Sequence, residues 1–139
     1  MTFKYRILAV DDNSISLATI EQALKEKYEV TPLNSGVRAL QYLKKNKPDL
    51  ILLDIRMTPK NGFETLRDIR DMEDRADIPV IMLTAMEDKK SVLEGITLGI
   101  SDYILKPFAP DDLLLRIRRV LEPETLSPEQ LRKFEGGGE

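Results

Sequence analysis

The sequence predicts a doubly wound α/β domain, built on a five-stranded parallel β-sheet with helices on both faces. Five short apolar segments of strand length alternate along the chain with five segments whose apolar residues recur at helical spacing. Such alternation of strand and helix indicates a parallel sheet with right-handed crossovers. The central apolar segment is uninterrupted by polar residues, which is typical of a strand that helices cover on both faces.

The third strand is the clearest of the five. Residues 50–53 form an unbroken run of branched apolar side chains that follows Pro48 and leads directly into Asp54. Because open parallel sheets bind ligands at the carboxyl ends of their strands, Asp54 stands where such a fold carries out its chemistry. Taken alone, Asp54 is better explained as a turn-capping residue, and only the rest of the chain reverses that preference.

Two strands and two helices precede this segment. The first strand covers residues 5–10, after which Asn13 and Ser14 offer capping groups to the first helix. Residues 28–31 alternate between polar and apolar and predict a short, half-exposed second strand. Ser35 and Gly36 open the second helix. The predicted inward residues are Leu17, Ile20, Ala23 and Leu24 in the first helix and Val37, Leu40 and Leu43 in the second.

The elements after the third strand repeat the pattern. Strands at 79–83 and 103–105 lead into Thr84 and Lys106, and Pro110 begins the fifth helix. Gly99 is placed as the C-cap of the fourth helix, which Gly95 weakens by about 1 kcal/mol relative to alanine. The predicted inward residues are Phe63, Leu66 and Ile69 in the third helix, Val92, Leu93 and Ile96 in the fourth, and Leu113, Leu114, Ile117, Val120 and Leu121 in the fifth.

The bulk composition suits one soluble domain. The chain has 139 residues, 42% of them hydrophobic and 32% charged, and no apolar run long enough to cross a bilayer. We expect one domain over residues 3–122 and a tail or linker over residues 123–139. The net charge of −3, without a basic run, argues against nucleic-acid binding by this chain alone. The absence of cysteine and of a signal peptide fits a cytoplasmic location.

Polar residues follow four of the five strands at their carboxyl ends. Asp11 and Asp12 follow the first strand, Asp54 ends the third, Thr84 follows the fourth and Lys106 the fifth. Each has a common structural explanation of its own, but their occurrence together predicts one pocket. Three adjacent carboxylates repel one another unless a cation binds, and a hard ion such as Mg2+ prefers oxygen ligands. A carboxylate beside Mg2+ and a lysine can accept a phosphoryl group as an acyl phosphate.

These residues resemble those of response regulator receiver domains, over about residues 3–121. The matching segments are Val10-Asp11-Asp12, Leu52-Leu53-Asp54-Ile55, Met57, Gly62, Leu83-Thr84-Ala85, Gly99, Asp102-Tyr103 and Lys106-Pro107-Phe108. Together these segments are highly specific to this family of bacterial two-component signalling proteins. The resemblance implies the CheY-like, flavodoxin-like (βα)5 fold with strand order 2-1-3-4-5.

The resemblance also implies a role for each site residue. Asp54 would be the phosphoacceptor. Asp12 and Asp54 would bind Mg2+ with the backbone carbonyl of Arg56, and Asp11 would act on the metal mainly through water. Lys106, with Thr84 and Ala85, would bind the phosphoryl group. Thr84 and Tyr103 would form the switch pair, and the Lys106–Pro107 peptide bond would be cis.

One segment departs from the family pattern. The family usually has proline directly after the methionine at position 57, whereas this chain has Thr58 there and Pro59 one residue later. The loop after Asp54 could therefore follow a different path near the metal. Such a path would affect the contact of the Arg56 carbonyl with the metal, but not the role of Asp54 as the acceptor.

The resemblance implies a switch that catalyses its own phosphorylation and dephosphorylation. Because the chain has no histidine, we expect the donor to be a separate sensor histidine kinase or histidine phosphotransfer protein. We expect phosphorylation to change the face formed by the fourth helix, fifth strand and fifth helix, where a homodimer could form.

Two alternative functions are compatible with parts of the sequence. A degenerate receiver would bind partners without phosphorylation, although all five pocket residues are present. The second alternative is an unrelated flavodoxin-like cofactor-binding protein or phosphatase. The chain lacks the G-x-G-x-x-G and G-x-x-x-x-G-K-[ST] motifs, and its acidic pair is adjacent, without the spacer of the aspartate-based phosphatases.

Overall fold

A computed structural model describes residues 3–85 and 89–135 of the chain. The strands are β1 (Arg6–Val10), β2 (Glu29–Leu33), β3 (Leu50–Asp54), β4 (Val80–Thr84) and β5 (Asp102–Leu105). The helices are α1 (Ser14–Leu24), α2 (Gly36–Leu43), α3 (Gly62–Arg70), α4 (Lys89–Thr97), α5 (Pro110–Leu121) and α6 (Pro128–Glu135), with a 3-10 turn at Pro123–Thr125. None of the described helices is long and apolar enough to span a bilayer.

The five strands form one parallel sheet in the order β2-β1-β3-β4-β5, as the sequence predicts. The register aligns the carboxyl ends of the central strands, with Val10 of β1 beside Leu53 of β3 and Asp54 beside Leu83 of β4. The chain reverses its winding direction between β1 and β3, and a crevice for ligands opens at such a point.

Two apolar cores flank the sheet and confirm that it is doubly wound. Alternate residues of each strand point into opposite cores, so that Leu52 of β3 packs on one face and Leu53 on the other. The first core joins the sheet to α1 and α5, and the second joins it to α2 and α3. All five residues of β3 and of β4 are buried, which agrees with their uninterrupted apolar sequences.

The predicted helix caps are present. The Asn13 side chain accepts hydrogen bonds at the start of α1, and Ser35 does the same for α2. Asn61 and Glu64 form a capping box at the start of α3. Pro110 occupies the first turn of α5, where its missing N–H costs no helical hydrogen bond.

The predicted inward stripes are wrong at three described positions. Val37 of α2 is 45% exposed, and Leu93 and Ile96 of α4 are 64% and 61% exposed. α2 instead turns Ala39 and Leu43 fully into the core, with Leu40 partly buried against it. The side chain of Val92, the third predicted inward residue of α4, lies outside the described residues.

The rotation of α4 follows from packing at Gly95. Gly95 is buried, and a Cβ atom on it would lie 2.9 Å from Cδ1 of Ile100 and 3.5 Å from the Phe63 ring, so this face of the helix packs closely on the rest of the domain. Gly99, with a φ angle of 74°, then ends the helix in the left-handed conformation, as predicted. Burial of Gly95 turns the larger apolar residues of α4 outward.

The C-terminal segment folds back on α5. Leu126 is buried, and Arg118 donates to the carbonyl and the hydroxyl group of Thr125. Ser127 and Gln130 form reciprocal hydrogen bonds that begin α6. The glycines at positions 136–138, expected to be linker-like, lie outside the described residues.

Candidate functional site

Three carboxylates meet where β1 and β3 end. Asp11 follows β1 directly, Asp12 is the next residue, and Asp54 is the last residue of β3. A carboxylate oxygen from each of the three lies within 4.8 Å of the others. Asp11 and Asp54 are buried, with 0% and 4% of their surface exposed, whereas Asp12 is exposed. The site therefore has a buried floor and one ligand at its mouth.

Lys106 brings a positive charge to these carboxylates from the end of β5. Its Nζ atom lies 2.6 Å from Oδ2 of Asp11 and 3.3 Å from Oδ1 of Asp54. Its backbone N–H donates to the carbonyl of Thr84, which fixes the start of the side chain beside the site. One cation against three carboxylates leaves the site with a local formal charge of −2.

The pKa of the Asp54 carboxyl is perturbed by this environment. Burial, and then the negative charge of Asp11, raise the pKa of Asp54 from 3.8 to about 6, although Lys106 acts in the opposite direction. At neutral pH the carboxylate form therefore exists at a cost in free energy. A bound cation would relieve this cost, because it would favour the charged form.

Asp11 is fixed by the main chain as well as by Lys106. Its Oδ1 atom accepts a hydrogen bond of 3.0 Å from the backbone N–H of Asn13, and its own N–H donates to the carbonyl of Leu33. The sequence singled out Asn13 as a helix cap but not as a partner of the acidic pair. Its position immediately after two aspartates at a strand end is the signal that could have identified it.

The loop after Asp54 is anchored by backbone hydrogen bonds to Ile55. The N–H groups of Met57 and Gly62 both donate to the carbonyl of Ile55, at 3.2 and 2.8 Å, and the Met57 side chain is buried. The backbone carbonyl of Arg56 is predicted to bind the metal together with the aspartates. Arg56 lies between Ile55 and Met57, and its side chain is exposed. The Thr58–Pro59 peptide bond is cis.

Gly62 lies against the backbone of Asp54 and Ile55. A Cβ atom there would lie 2.3 Å from the carbonyl oxygen of Asp54 and 2.8 Å from the Cα atom of Ile55. Both neighbours are backbone atoms, which cannot rotate away as a side chain can. The first residue of α3 must therefore lack a side chain for β3 and α3 to meet as they do.

The remaining predicted site residues lie on β4 and β5. Thr84 ends β4 and is buried, and the exposed Ala85 follows it. Tyr103 of β5 is 38% exposed and pairs with Met82 of β4. It lies two positions before Leu105, which is the residue that pairs with Thr84. The Lys106–Pro107 peptide bond is cis. The structure thus gathers Asp11, Asp12, Asp54 and Lys106 directly, and places Thr84 and Tyr103 on the adjacent strands β4 and β5.

The donor set suits a hard divalent cation. Three carboxylates supply only oxygen ligands, and their mutual repulsion falls when a cation binds between them. No thiol or imidazole group is present in the chain to favour a softer metal. The site defined by this fold is an acidic pocket, able to hold Mg2+ and to place a carboxylate and a lysine around a phosphoryl group.

Comparison with known proteins identifies the protein family of this chain. The profile of the response regulator receiver domain matches residues 7–118, and the chain belongs to that family. The response regulator MprA of Mycobacterium leprae is 38% identical over 117 residues, which cover 84% of this chain and 50% of the relative. The chain therefore spans about half the length of that relative.

Solved receiver structures share the fold. The chemotaxis protein CheY4 of Vibrio cholerae matches with a TM-score of 0.81 and 30% identity, over 85% of this chain and 99% of that one. The receiver domain of sensor histidine kinase PA1611 from Pseudomonas aeruginosa matches with a TM-score of 0.79 and 30% identity, over 86% and 98%. That structure holds a magnesium ion coordinated in its active site cleft.

Proposed function

We propose that this chain is a phosphorylatable receiver in which Asp54 accepts a phosphoryl group from a phosphohistidine of a sensor histidine kinase or histidine phosphotransfer protein. One observation carries the proposal. A buried carboxylate ends β3 within 4.8 Å of two further carboxylates and 3.3 Å from a lysine ammonium group. Receivers of two-component systems form the family to which the chain belongs, which supports the same conclusion.

The transfer begins with the ionised form of Asp54. Because its pKa is about 6, this carboxyl is mostly deprotonated at neutral pH and is a competent nucleophile. One carboxylate oxygen forms a bond to phosphorus while the P–N bond to the donor imidazole breaks, and the electron pair of that bond stays on the imidazole nitrogen. The product is an acyl phosphate. The pocket thereby catalyses its own phosphorylation. Attack of water on the phosphorus then breaks the bond to the Asp54 oxygen, releases inorganic phosphate and restores the free carboxylate.

The chain's own residues orient the phosphoryl group. Lys106 lies close enough to Asp54 to contact a phosphoryl oxygen with its ammonium group. The hydroxyl of Thr84 and the backbone N–H of Ala85 would donate to the other oxygens. Asp11, Asp12, Asp54 and the Arg56 carbonyl would hold Mg2+, which offsets the negative charge of the phosphoryl oxygens when bound.

The donor histidine lies outside these 139 residues, since they contain no histidine. Ile15, in the first turn of α1, is 76% exposed and lies in the same groove as Lys106 and Pro107. An apolar residue at the mouth of a charged pocket offers a contact for such a donor. We assign residues 3–122 to the receiver and residues 123–139 to a tail, in a cytoplasmic protein.

The output surface is the α4-β5-α5 face. Phosphorylation would draw the Thr84 hydroxyl towards the phosphoryl group, and Tyr103 would turn inward into the space released. Leu93 and Ile96 of α4 and Leu105 of β5 are exposed on this part of the molecule. Their apolar surface would become the contact of a homodimer when the face rearranges.

Intact-mass spectrometry tests the proposal. After incubation with Mg2+ and a small phosphodonor such as acetyl phosphate, the parent protein should gain the mass of one phosphoryl group. Asp54→Asn should gain none. Asp49→Asn is the matched control, because Asp49 precedes the other end of β3 and contacts the backbone of Arg6 instead of the pocket. Uptake by Asp54→Asn at the parent rate would place the acceptor elsewhere.

A protein that took up no phosphoryl group under any of these conditions would instead be a degenerate receiver, acting through protein contacts alone. A phosphorylated kinase domain as donor, in place of the small phosphodonor, separates that outcome from slow reaction with acetyl phosphate. Efficient labelling from ATP without another protein would contradict the assignment of a separate donor.

A further inference from the structure

Asp12 is the least constrained carboxylate of the acidic pocket. Asp11 is held by Lys106 and by the N–H of Asn13, and Asp54 is held by β3 and Lys106. Among the residues that the structure describes, none forms a hydrogen bond or ion pair with the exposed side chain of Asp12. The direction of its carboxylate therefore depends on the backbone of residues 11–13.

Asn13 fixes that backbone from two sides. Its N–H donates to Oδ1 of Asp11 at 3.0 Å, which closes a tight turn around Asp12. Its side-chain Oδ1 accepts the N–H groups of Ile15 and Ser16 at 2.9 and 3.0 Å, which ties the same residue to the first turn of α1. The turn that carries two of the three carboxylates is thus locked to a helix by one side chain.

We propose that Asn13 is a positioning residue for the metal site. By locking the turn to α1, it holds the Asp12 carboxylate in place for a divalent cation, although it does not itself contact the ion. The proposal rests on the proposed Mg2+-dependent function. Loss of the cap would release the N–H groups of Ile15 and Ser16 and allow the turn to move. Binding of the cation would then have to fix the position of the Asp12 carboxylate, at a cost in conformational entropy.

The chain offers a matched control at α2. Ser35 caps α2 through the N–H of Arg38, and its helix contributes no residue to the acidic pocket. Replacing either cap by alanine removes one helix cap, so both variants should lose similar thermal stability. Asn13→Ser is the conservative variant, because serine also accepts hydrogen bonds at the N-cap.

Isothermal titration calorimetry with MgCl2 on the full chain, together with thermal melts in EDTA, gives the test. We expect Asn13→Ala to raise the Kd for Mg2+ by about tenfold, at the low end of the effect of groups that support metal ligands. Ser35→Ala should leave the Kd within about twofold of the parent, and Asn13→Ser should restore most of the affinity.

Two outcomes would overturn the proposal while leaving the proposed function intact. Asn13→Ala could bind Mg2+ as tightly as the parent while melting at a lower temperature, which would make Asn13 a structural cap only. Alternatively, Asn13→Ala and Ser35→Ala could weaken Mg2+ binding equally, which would show that the effect is general destabilisation. A parent protein that bound no Mg2+ would overturn both the metal site and this role of Asn13.

Discussion

The ammonium nitrogen of Lys106 lies 2.6 Å from a carboxylate oxygen of Asp11, across a separation of 95 residues in the chain. This pair joins the ends of β1 and β5, which are not neighbours in the sheet. Among the residues that the structure describes, Lys106 is the one positively charged side chain within 4 Å of the buried Asp11 and Asp54 carboxylates. The same contact therefore stabilises the fold and holds the ammonium group of Lys106 beside Asp54.

Lys106→Met should destabilise the protein. Methionine keeps the apolar stem but leaves the buried Asp11 without its cation, and breaking a buried pair costs about 3–5 kcal/mol. Urea denaturation in EDTA at neutral pH measures the loss. Lys60→Met is the control, because the Lys60–Asp68 pair is more exposed and such pairs contribute about 0–1 kcal/mol. Equal losses in the two variants would contradict the buried-pair interpretation.

The metal-free protein should lose stability as the pH rises through the pKa of Asp54. This pKa is raised on folding from 3.8 to about 6, so the folded state binds the proton more tightly than the unfolded state. The stabilisation is complete below the unfolded pKa and is lost as the pH passes about 6. At pH 7 and above, the resulting penalty is about 2–3 kcal/mol.

Asp54→Asn removes this titration, so the variant should be more stable than the parent at neutral pH in EDTA. Urea denaturation of parent and variant from pH 4 to pH 8 gives the difference between their unfolding free energies at each pH. The change of this difference with pH reports the titration of Asp54 separately from that of the other carboxylates. A difference that did not change with pH would show that burial and charge do not perturb this carboxyl.

Mg2+ should stabilise the parent protein. At concentrations of about ten to a hundred times the Kd, linkage predicts a gain of about 1–3 kcal/mol, because the unfolded chain has no assembled site. Asp54→Asn should gain less, since it lacks one ligand and one repelling charge. Thermal melts with Mg2+ and with EDTA check this, and Asp49→Asn should keep the full gain. An equal gain in all three proteins would contradict a role for Asp54 in binding the metal.

Gly62→Ala should weaken the junction of β3 and α3. Its methyl group would lie 2.3 Å from the Asp54 carbonyl oxygen, and the required backbone shift costs about 1–3 kcal/mol. Slower phosphoryl uptake should accompany the loss, because the shift moves the acceptor. Gly99→Ala is the comparison. Its φ of 74° makes it strained, but it has open space around the Cβ position. It should therefore lose stability without a comparable effect on uptake.

The switch should extend beyond the pocket. With Mg2+ and beryllofluoride, a mimic of the phosphoryl group, NMR shifts are expected at Tyr103 and Leu105 of β5 and along α5. Their cause would be the inward movement of Thr84 and Tyr103. Asp54→Asn should show none of these shifts. Shifts confined to residues beside Asp54 would contradict a change of the α4-β5-α5 face.

Much of the fold and the candidate site follows from local sequence. The apolar run before Asp54 identifies a buried strand, because only a strand covered on both faces can bury every side chain. Asn13, Ser35 and Pro110 mark helix starts through groups that satisfy or avoid unpaired backbone N–H groups. Once the strands are assigned, a parallel sheet brings their carboxyl ends to one edge, so convergence of the polar residues can be predicted.

Tertiary packing decided the rest. Helical spacing in α4 defines an apolar stripe, but the face of α4 that packs on Ile100 and Phe63 is that of Gly95, and Leu93 and Ile96 are exposed. The contact of Gly62 with the Asp54 backbone joins elements whose separation depends on how α3 lies on the sheet. The Lys106–Asp11 distance depends on the twist and register of the whole sheet. Sequence patterns specify local periodicity and chemistry, whereas these contacts arise from three-dimensional packing between distant segments.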